Sequence, residues 1–363
     1  MANLEFSAPY NEDPESLEEI FELKRLGNNS IREVYLSGPQ EYSASGRAMD
    51  ELRLDAFLAT VDRIHSEGLR VNLIMNPTCE GTEWYSTDTL KKALDYLRLI
   101  HLEHGVETVT IANPLYVQQV RKHLPDIAIC ASVLADIDCL ERAVVYARLG
   151  ANVITPEVGI NRDLELLAAI KAATGAELKL MVNEGCLYKC AFRKFHFNYI
   201  SHVSKKSGRE LIFVPYCDQV ISADPSQMLK SGWIRPEDTH KYSEITTYFK
   251  IVGRELKKSK FTRVIRAYLE ESWDGDLMDI ICSGIGSYAN KHGTYLDNKA
   301  LGELGFFERV TSCGQFCSRC GYCEEVAQQL IQRGGFTEEK MEDKGLAGRI
   351  EYLQDAGLIT SDE

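Results

Sequence analysis

The sequence predicts an α/β protein of the (β/α)8 TIM-like barrel class. Short apolar, β-branched runs alternate with amphipathic segments through the first two-thirds of the chain, as strands and helices do in a parallel sheet. Eight runs can be counted, the number that closes such a barrel. An open, doubly wound sheet is the alternative, although no GxGxxG fingerprint of a dinucleotide-binding fold follows the first runs. The runs lie at 4–9, 32–38, 70–76, 107–113, 127–133, 151–157, 177–185 and 248–254.

The segments between the runs have helical spacing. Residues 50–68 and 162–175 repeat apolar side chains about every 3.6 positions, and each segment ends in Gly. Residues 260–282, after the eighth run, are also predicted to be helical. In a barrel the site lies at the carboxyl ends of the strands. The residues expected there are Pro9, Ser37, Asn76, Asn113, Ser132, Glu157, Asn183, Glu184 and Arg254.

The connection between the seventh and eighth strands is too long for a simple barrel. We interpret residues 186–247 as an insertion over the barrel mouth, because long insertions are often functional. The barrel domain, including this insertion, is therefore assigned to residues 1–282. Residues 283–363 are assigned to a small C-terminal segment with a cysteine-rich motif and a polar helix near 338–355.

Charge and composition narrow the class of protein. The 363-residue chain has a net charge of −13, which disfavours broad nucleic-acid binding, although residues 250–266 hold seven Lys or Arg and one acid. No run approaches the roughly 18 apolar residues of a membrane helix. The N-terminus lacks a signal peptide pattern, so we expect a cytoplasmic protein. Eleven cysteines are many for a reducing compartment and indicate metal or redox chemistry.

Four cysteines near the C-terminus have the spacing of metal ligands, C-x3-C-x2-C-x2-C. Thiolates this close along the chain can surround one metal centre, and Gly314 and Gly321 allow the positive φ angles that such a loop needs. We predict an iron–sulfur site here, with tetrahedral four-cysteine zinc as the alternative. These residues, called the tail cysteines below, are Cys313, Cys317, Cys320 and Cys323.

A second group of cysteines follows the seventh strand. Cys186 and Cys190 are four residues apart, so they would share one face of a helix, and Cys217 lies in the insertion. Basic neighbours favour the thiolate form. Cys282 is the first candidate for a fourth ligand and Cys79 the second; reduced structural thiols are the simpler alternative. Cys186, Cys190, Cys217 and Cys282 are called the mouth cysteines below.

Candidate catalytic residues lie at the ends of the last two predicted strands. Glu184 ends the seventh strand and is the best acid–base candidate. Lys250 and Arg254 in the eighth strand would bind a carboxylate or phosphate. His196 and His202 are weaker candidates, since a lone histidine in a partly apolar segment is more often packed than reactive.

Three segments resemble peptidase family U32. They are NEGCLYKC at 183–190, PYCDQ at 215–219, and YFKIVGRELKKSKFTRVIRAY at 248–268, which is the most specific. The resemblance covers roughly residues 1–270 and implies a barrel-like domain. Members are classed as peptidases, and several resemble oxygen-independent hydroxylation proteins that carry a [4Fe–4S] cluster, act on RNA bases or quinone precursors, and use prephenate as an oxygen donor. By this resemblance, Cys186, Cys190 and Cys217 are cluster ligands.

We therefore predict an iron–sulfur enzyme, of an oxidoreductase or hydroxylase type, with one or two [4Fe–4S] clusters. Its substrate would be an anionic small molecule, RNA or a peptide. The expected partners are an electron donor and a protein of the same family. No association with a membrane is expected. One alternative is a hydrolase with Cys186 as nucleophile and His196 or His202 as base. The other is a non-catalytic zinc-binding module.

Overall fold

Eight parallel strands close into a barrel in the computed structural model, which describes residues 3–42, 45–46, 52–203, 214–254, 256 and 258–332. The barrel strands are β1 Glu5–Pro9, β3 Asn29–Ser37, β4 Arg70–Met75, β5 Thr108–Ile111, β6 Ala128–Ala131, β7 Val153–Ile154, β8 Glu177–Met181 and β9 Tyr248–Lys250; β2 Arg25–Leu26 is a short antiparallel addition to β3. β1 pairs with both β3 and β9, so the sheet closes on itself. Each barrel strand coincides with a predicted run, and closure excludes the doubly wound alternative.

Helices surround this barrel. They are α1 Pro14–Leu23, α2 Leu54–Ser66, α3 Thr87–Arg98, α4 Pro114–His123, α5 Leu140–Leu149, α6 Leu164–Thr174, α7 Arg193–Val203, α8 Val214–Ala223, α9 Gln227–Lys230, α10 Lys258–Leu269, α11 Ser283–His292, α12 Asn298–Glu303, α13 Phe306–Thr311, α14 Cys317–Cys320 and α15 Tyr322–Leu330. Two short antiparallel strands, β10 Tyr295–Leu296 and β11 Ile331–Gln332, join the ends of the last segment. Among the described residues, no helix is both long and apolar enough to cross a bilayer.

Local signals explain where most helices begin and end. Asp163 caps α6 by accepting a hydrogen bond from the Leu166 amide, and Gly175 ends the helix at a left-handed φ of 64°. The helix predicted over 260–282 is too long. α10 ends at Leu269, because Glu271 and Gly275 take positive φ angles of 51° and 111° and turn the chain away.

Apolar side chains fill the layer between the strands and the helices. Phe6, Val71, Val109, Ile129 and Phe249 are fully buried there. Since neighbouring residues of a strand point to opposite faces of the sheet, the intervening side chains point into the barrel. The interior of this barrel is therefore built from the polar residues that alternate with the apolar ones.

A buried ion pair lies at the centre of the barrel interior. The Nζ of Lys179 on β8 is 2.8 Å from Oε1 of Glu33 on β3, and their side chains are 1% and 4% exposed. The same carboxylate accepts hydrogen bonds from Ser7 on β1 at 2.6 Å and Asn72 on β4 at 2.7 Å. Thr110 on β5 extends the network by donating to the Asn72 side chain. This network links five of the barrel strands from inside.

The charge of Lys179 keeps Glu33 ionised. Burial alone would raise the pKa of the Glu33 carboxyl, but Lys179 and the hydroxyl and amide donors lower that pKa to about 2. An unfolded Glu has a pKa of about 4.3. The stability that Glu33 contributes is therefore fully present above that value and is lost as the pH falls towards 2.

The insertion and the following segment return to one end of the barrel. Helix α7 lies over the barrel mouth, where the Ser201 hydroxyl accepts a hydrogen bond from the Thr78 amide at 2.9 Å. The Gly185 amide bonds the Cys282 carbonyl, and Glu184 and Cys282 form a parallel bridge beyond β8. Residue 282, where the barrel domain was assigned to end, is thus joined to the mouth. The polar helix predicted near 338–355 lies outside the described residues.

Lys179→Met should lower the free energy of unfolding by about 3–5 kcal/mol, because it leaves the Glu33 carboxylate buried without its counter-charge. Denaturant unfolding measures this. Arg98→Met is the matched control, since Arg98 and Asp95 form an ion pair whose side chains are 41% and 54% exposed and whose loss should cost less than about 1 kcal/mol. Equal unfolding midpoints for the two variants would contradict the expected difference in stability between the buried and the exposed ion pair.

Candidate active site at the barrel mouth

Lys250 and Arg254 lie at the barrel mouth, where the sequence predicted them. The Nζ of Lys250 lies 3.9 Å from the centroid of the Tyr35 ring, and the Arg254 guanidinium donates to the hydroxyls of Ser37 and Ser45. Both cations are at least nine-tenths buried. Burial lowers the pKa of Lys250 to about 7, and the nearby positive charge of Lys179 adds to this effect.

A third cation, Arg193, reaches the mouth from α7. Its side chain is 10% exposed, and Nη1 is 3.9 Å from Oε1 of Glu184. Nε, Nη1 and Nη2 are all buried and make no hydrogen bond within the described part of the chain. The guanidinium packs over the Phe197 ring at 4.9 Å. Arg193 is one of several basic residues close to Cys186 and Cys190 in the sequence, and no sequence signal separates it from the exposed Lys194 beside it.

Glu184 and Cys186 form a thiol–carboxylate pair beneath Arg193. The Cys186 Sγ lies 3.0 Å from Oε1 of Glu184, which is 2% exposed. A carboxylate at hydrogen-bond distance from a thiol can accept its proton and return it. The predicted acid–base residue is thus next to the first of the mouth cysteines and close to a buried cation.

Two further acids lie beside this group. Oε2 of Glu157, at the end of β7, is 3.0 Å from Nζ of Lys189. Burial raises the pKa of Asp136, and the positive charge of Arg193 opposes that rise. Glu157 was predicted as a strand-end residue, whereas Asp136 was not, because it lies in a short turn after β6. Acids and cations therefore lie together on the side of the mouth where Arg193 and Lys189 are.

Apolar side chains complete the wall of the mouth. Met181, Val252, Ala112 and Leu134 from the barrel form one buried cluster with Phe197 of α7. This packing holds α7 over the strand ends as a cover. His196 stacks against Phe197, with ring centroids 5.8 Å apart.

Some of the predicted strand-end residues support the backbone. Asn113 caps α4 by accepting from the Leu115 amide, and the Asn183 amide group donates to the carbonyls of Val252 and Ile280. Asn76 donates to the Ser132 hydroxyl at 2.8 Å. These polar residues shape the mouth and explain why polar strand ends alone do not identify a catalytic group.

The mouth cysteines lie on three segments that meet at the end of β8. Cys282 is buried, and its Sγ is 3.3 Å from both the Asn183 side-chain nitrogen and the Val252 carbonyl. Burial raises the pKa of Cys217 to about 11, and the neighbouring Cys190 contributes to the rise. Cys217 Sγ also faces Gly284, at 3.8 Å from the position of an added Cβ.

This placement fits a cluster in one respect, since Cys186, Cys190, Cys217 and Cys282 come from adjoining segments. In this conformation Cys186 and Cys282 each contact a local hydrogen-bond partner. Across the described ranges, no three His, Cys, Asp or Glu side chains are arranged to hold one metal ion. The ligand assignments therefore stay predictions.

The tail cysteines line a common small cavity of about 20 Å³. Gly314 and Gly321 have φ angles of 62° and 72°, as predicted for the turns of this loop. Arg309 lies with Nη2 3.1 Å from Sγ of Cys320. Burial raises the pKa of Cys323 to about 11. The nature of a metal centre at this loop, iron–sulfur or zinc, stays a prediction.

Comparisons with known proteins agree with this architecture. A sequence profile described as Peptidase family U32 matches residues 18–209. The Uncharacterized protease MJ1657 of Methanocaldococcus jannaschii is 30% identical over 341 residues, which cover 90% of this chain and 99% of that protein. The solved structure of the U32 peptidase Mk0906 is 20% identical, with a TM-score of 0.52 over 70% of this chain and 93% of that one.

The Lys250 ammonium should lose its proton near pH 7, whereas an ordinary lysine does so near about 10.4. Carbon-13 NMR of the lysine Cε atoms can follow this titration, and Lys250→Met identifies the signal by its loss. Arg254→Met should move the midpoint upwards, because it removes a neighbouring positive charge. A Lys250 signal that titrates only above pH 10 would contradict the described burial.

Proposed function

Since the chain belongs to peptidase family U32, we propose that it is an iron–sulfur enzyme that converts an anionic substrate at the barrel mouth. The reaction type we infer is a redox or oxygen-independent hydroxylation reaction. The observation that carries the proposal is the set of three buried cations, Arg193, Lys250 and Arg254, beside the Cys186–Glu184 pair.

Buried cations favour an anionic ligand. Lys250 is about nine-tenths buried, and the positive charges of Lys179 and Arg254 lie near it. A charge removed from water is costly unless it is paired, so a carboxylate or phosphate beside Lys250 would offset that cost. The guanidinium of Arg193 has three nitrogens without hydrogen-bond partners among the described residues, and a planar guanidinium matches the two oxygens of such a group. Substrate anions are therefore the class that this mouth suits.

A small anion is favoured over RNA or a long peptide. The net charge of −13 repels a polyanion. Helix α7 also covers the strand ends, with Phe197 packed into their apolar wall, so a compact substrate fits best. An RNA base or a peptide end that enters the mouth remains the wider alternative.

Each residue has a distinct role in this proposal. Arg193 and Arg254 orient the anion, and Glu184, whose Oε1 lies 3.0 Å from Sγ of Cys186, exchanges a proton with the substrate. Lys250, with a pKa of about 7, can carry a positive charge or transfer a proton near neutral pH. The mouth cysteines would hold a [4Fe–4S] cluster, which supplies electron transfer or Lewis-acid chemistry when bound. An electron donor, and a second protein of the same family, are the partners that this chemistry implies.

A peptidase is the second candidate function. The names of the relatives suggest it, and the hydrogen bond between Cys186 and Glu184 supports it, because a carboxylate can activate a thiol nucleophile. In that case Arg193 would stabilise the developing negative charge on the attacked carbonyl oxygen.

Anaerobic purification followed by iron and sulfide counting tests the first proposal. Cys190→Ser/Cys217→Ser should lose about four irons and four sulfides per chain relative to the wild type, as one cubane cluster requires. Cys139→Ser is the matched control, because Cys139 is also partly exposed but lies outside both cysteine groups. Equal iron and sulfide in all three proteins would refute a cluster at the mouth.

The two candidate functions separate in the same variants. Release of peptides from fluorescently labelled casein that persists in Cys190→Ser/Cys217→Ser but disappears in Cys186→Ala would favour the peptidase. Substrate conversion that depends on an added electron donor, and that is lost in both variants, would favour the iron–sulfur enzyme.

A further inference from the structure

We propose that the tail cysteines bind a second metal centre, held by four thiolates, whose negative charge is balanced by the buried guanidinium of Arg162. The centre would fasten the C-terminal segment to the barrel. This inference is independent of the mouth cysteines, and it applies equally if the chain is a peptidase.

The cavity at the tail cysteines is the first observation. Cys313, Cys317, Cys320 and Cys323 line it together, along with the Lys230 side chain. A four-thiolate shell with this spacing suits a thiophilic centre, either one Zn²⁺ ion or an iron–sulfur cluster. The cavity has a volume of only about 20 Å³. Within the described part of the chain no three potential ligands, the tail cysteines included, already stand in a metal-binding arrangement, so the loop must rearrange to bring its sulfurs onto one ion or cluster.

The second observation is Arg162, which the sequence analysis did not identify. It follows β7 and is 7% exposed, and its Nη1 donates to the Leu229 carbonyl at 2.6 Å. Nη2 is buried and has no hydrogen-bond partner among the described residues. The guanidinium packs on the Trp233 ring at 4.9 Å and on the Phe306 ring at 5.2 Å. The Phe306 ring in turn stacks on Tyr322, which is next to Cys323. Burial lowers the pKa of Arg162, and Cys323, Cys313 and Cys317 are among the groups that oppose this effect.

Charge balance connects the two observations. Four thiolates around Zn²⁺ or around an oxidised cubane core carry a net charge of about −2. A guanidinium that is almost fully buried requires a nearby negative charge, and a metal–thiolate centre would supply it. Arg309 adds a second cation, with Nη2 3.1 Å from Sγ of Cys320. Neutral thiols would leave Arg162 with no matching charge on this side.

Hydrogen bonds join the loop of the tail cysteines to the barrel. The Gln315 side chain accepts from the Tyr188 hydroxyl at 2.7 Å and donates to the Gly159 carbonyl at 3.2 Å. Lys230 and Glu324 form an ion pair at 2.6 Å. A metal that fixes the loop would therefore also fix Tyr188, which lies between Cys186 and Cys190 in the sequence.

Metal counting in the Cys190→Ser/Cys217→Ser chain isolates the tail site. After anaerobic purification, and separately after addition of Zn²⁺ or of ferrous iron with sulfide, this chain should hold about one zinc, or about four irons with four sulfides. Adding Cys317→Ser/Cys320→Ser should remove that metal. The proposal is overturned if the chain has the same metal content with and without the tail substitutions. It is also overturned if neither chain binds metal. If the Cys190→Ser/Cys217→Ser chain does not fold, the metal content of the wild type is compared with that of Cys317→Ser/Cys320→Ser instead.

Substitution of Arg162 tests the charge balance. Arg162→Met should weaken metal retention about 10- to 100-fold, as loss of a supporting partner of a metal site commonly does, and Arg162→Lys should restore part of it. The readout is competition with a zinc chelator, or the rate of iron release for a cluster. Arg309→Met changes a less buried cation, so it should weaken metal retention by a smaller factor. It replaces Arg162→Met in this experiment if Arg162→Met does not fold. Unchanged retention in the folded variants would refute the role of these cations.

Tryptic cleavage supplies a readout that does not depend on metal counting. Arg319 is exposed in the loop of the tail cysteines, so cleavage there should be slow in the metal-loaded chain and at least about tenfold faster once the metal is removed. Arg53, which is exposed on another part of the surface, should be cleaved at the same rate in both states. An unchanged rate at Arg319 would contradict a metal that fixes the tail.

Discussion

The ion pair between Glu33 and Lys179 is the constraint on which the rest of the structure depends. The Glu33 carboxylate is engaged through Oε1, to which Lys179, Ser7 and Asn72 all donate. A buried pair of this kind is a weak source of net stability, but it fixes which strands face each other because either partner alone is costly. Closure of the barrel brings these groups of β1, β3, β4 and β8 together.

The same pair determines the charge of the mouth. Because Glu33 is occupied by Lys179, it offers little compensation to Lys250 in the next layer, which lies over Tyr35 with a depressed pKa. Arg254 adds positive charge near Lys250, while Arg193 lies near Glu184 and Glu157 lies near Lys189. The barrel interior thus changes from a paired centre to a mouth under α7 that holds both cations and acids. The proposed site would select its substrate first by charge and then by size.

Much of the architecture could be predicted from the sequence. The eight runs are apolar, β-branched and regularly separated, so the eight barrel strands and Gly-terminated helices such as α6 were found. Lys250 and Arg254 were placed at the mouth by their position at a strand end. The pairing of Glu33 with Lys179 could not be predicted, because the two residues are 146 positions apart. A single charged residue in a predicted strand is also normally expected to face solvent. Arg193 and Arg162 were missed for the same reason: only the packing of an insertion or a tail against the barrel makes them buried cations.

The central claim is that the mouth binds an anion through these buried cations. The most direct measurement is the unfolding temperature in increasing inorganic phosphate, with chloride at matched ionic strength as reference, for the wild type and for Arg193→Met/Arg254→Met. Binding to the native state alone raises the unfolding temperature, so the account predicts a phosphate-dependent rise that the variant loses. An equal response to phosphate and chloride, or an equal rise in the variant, would contradict it.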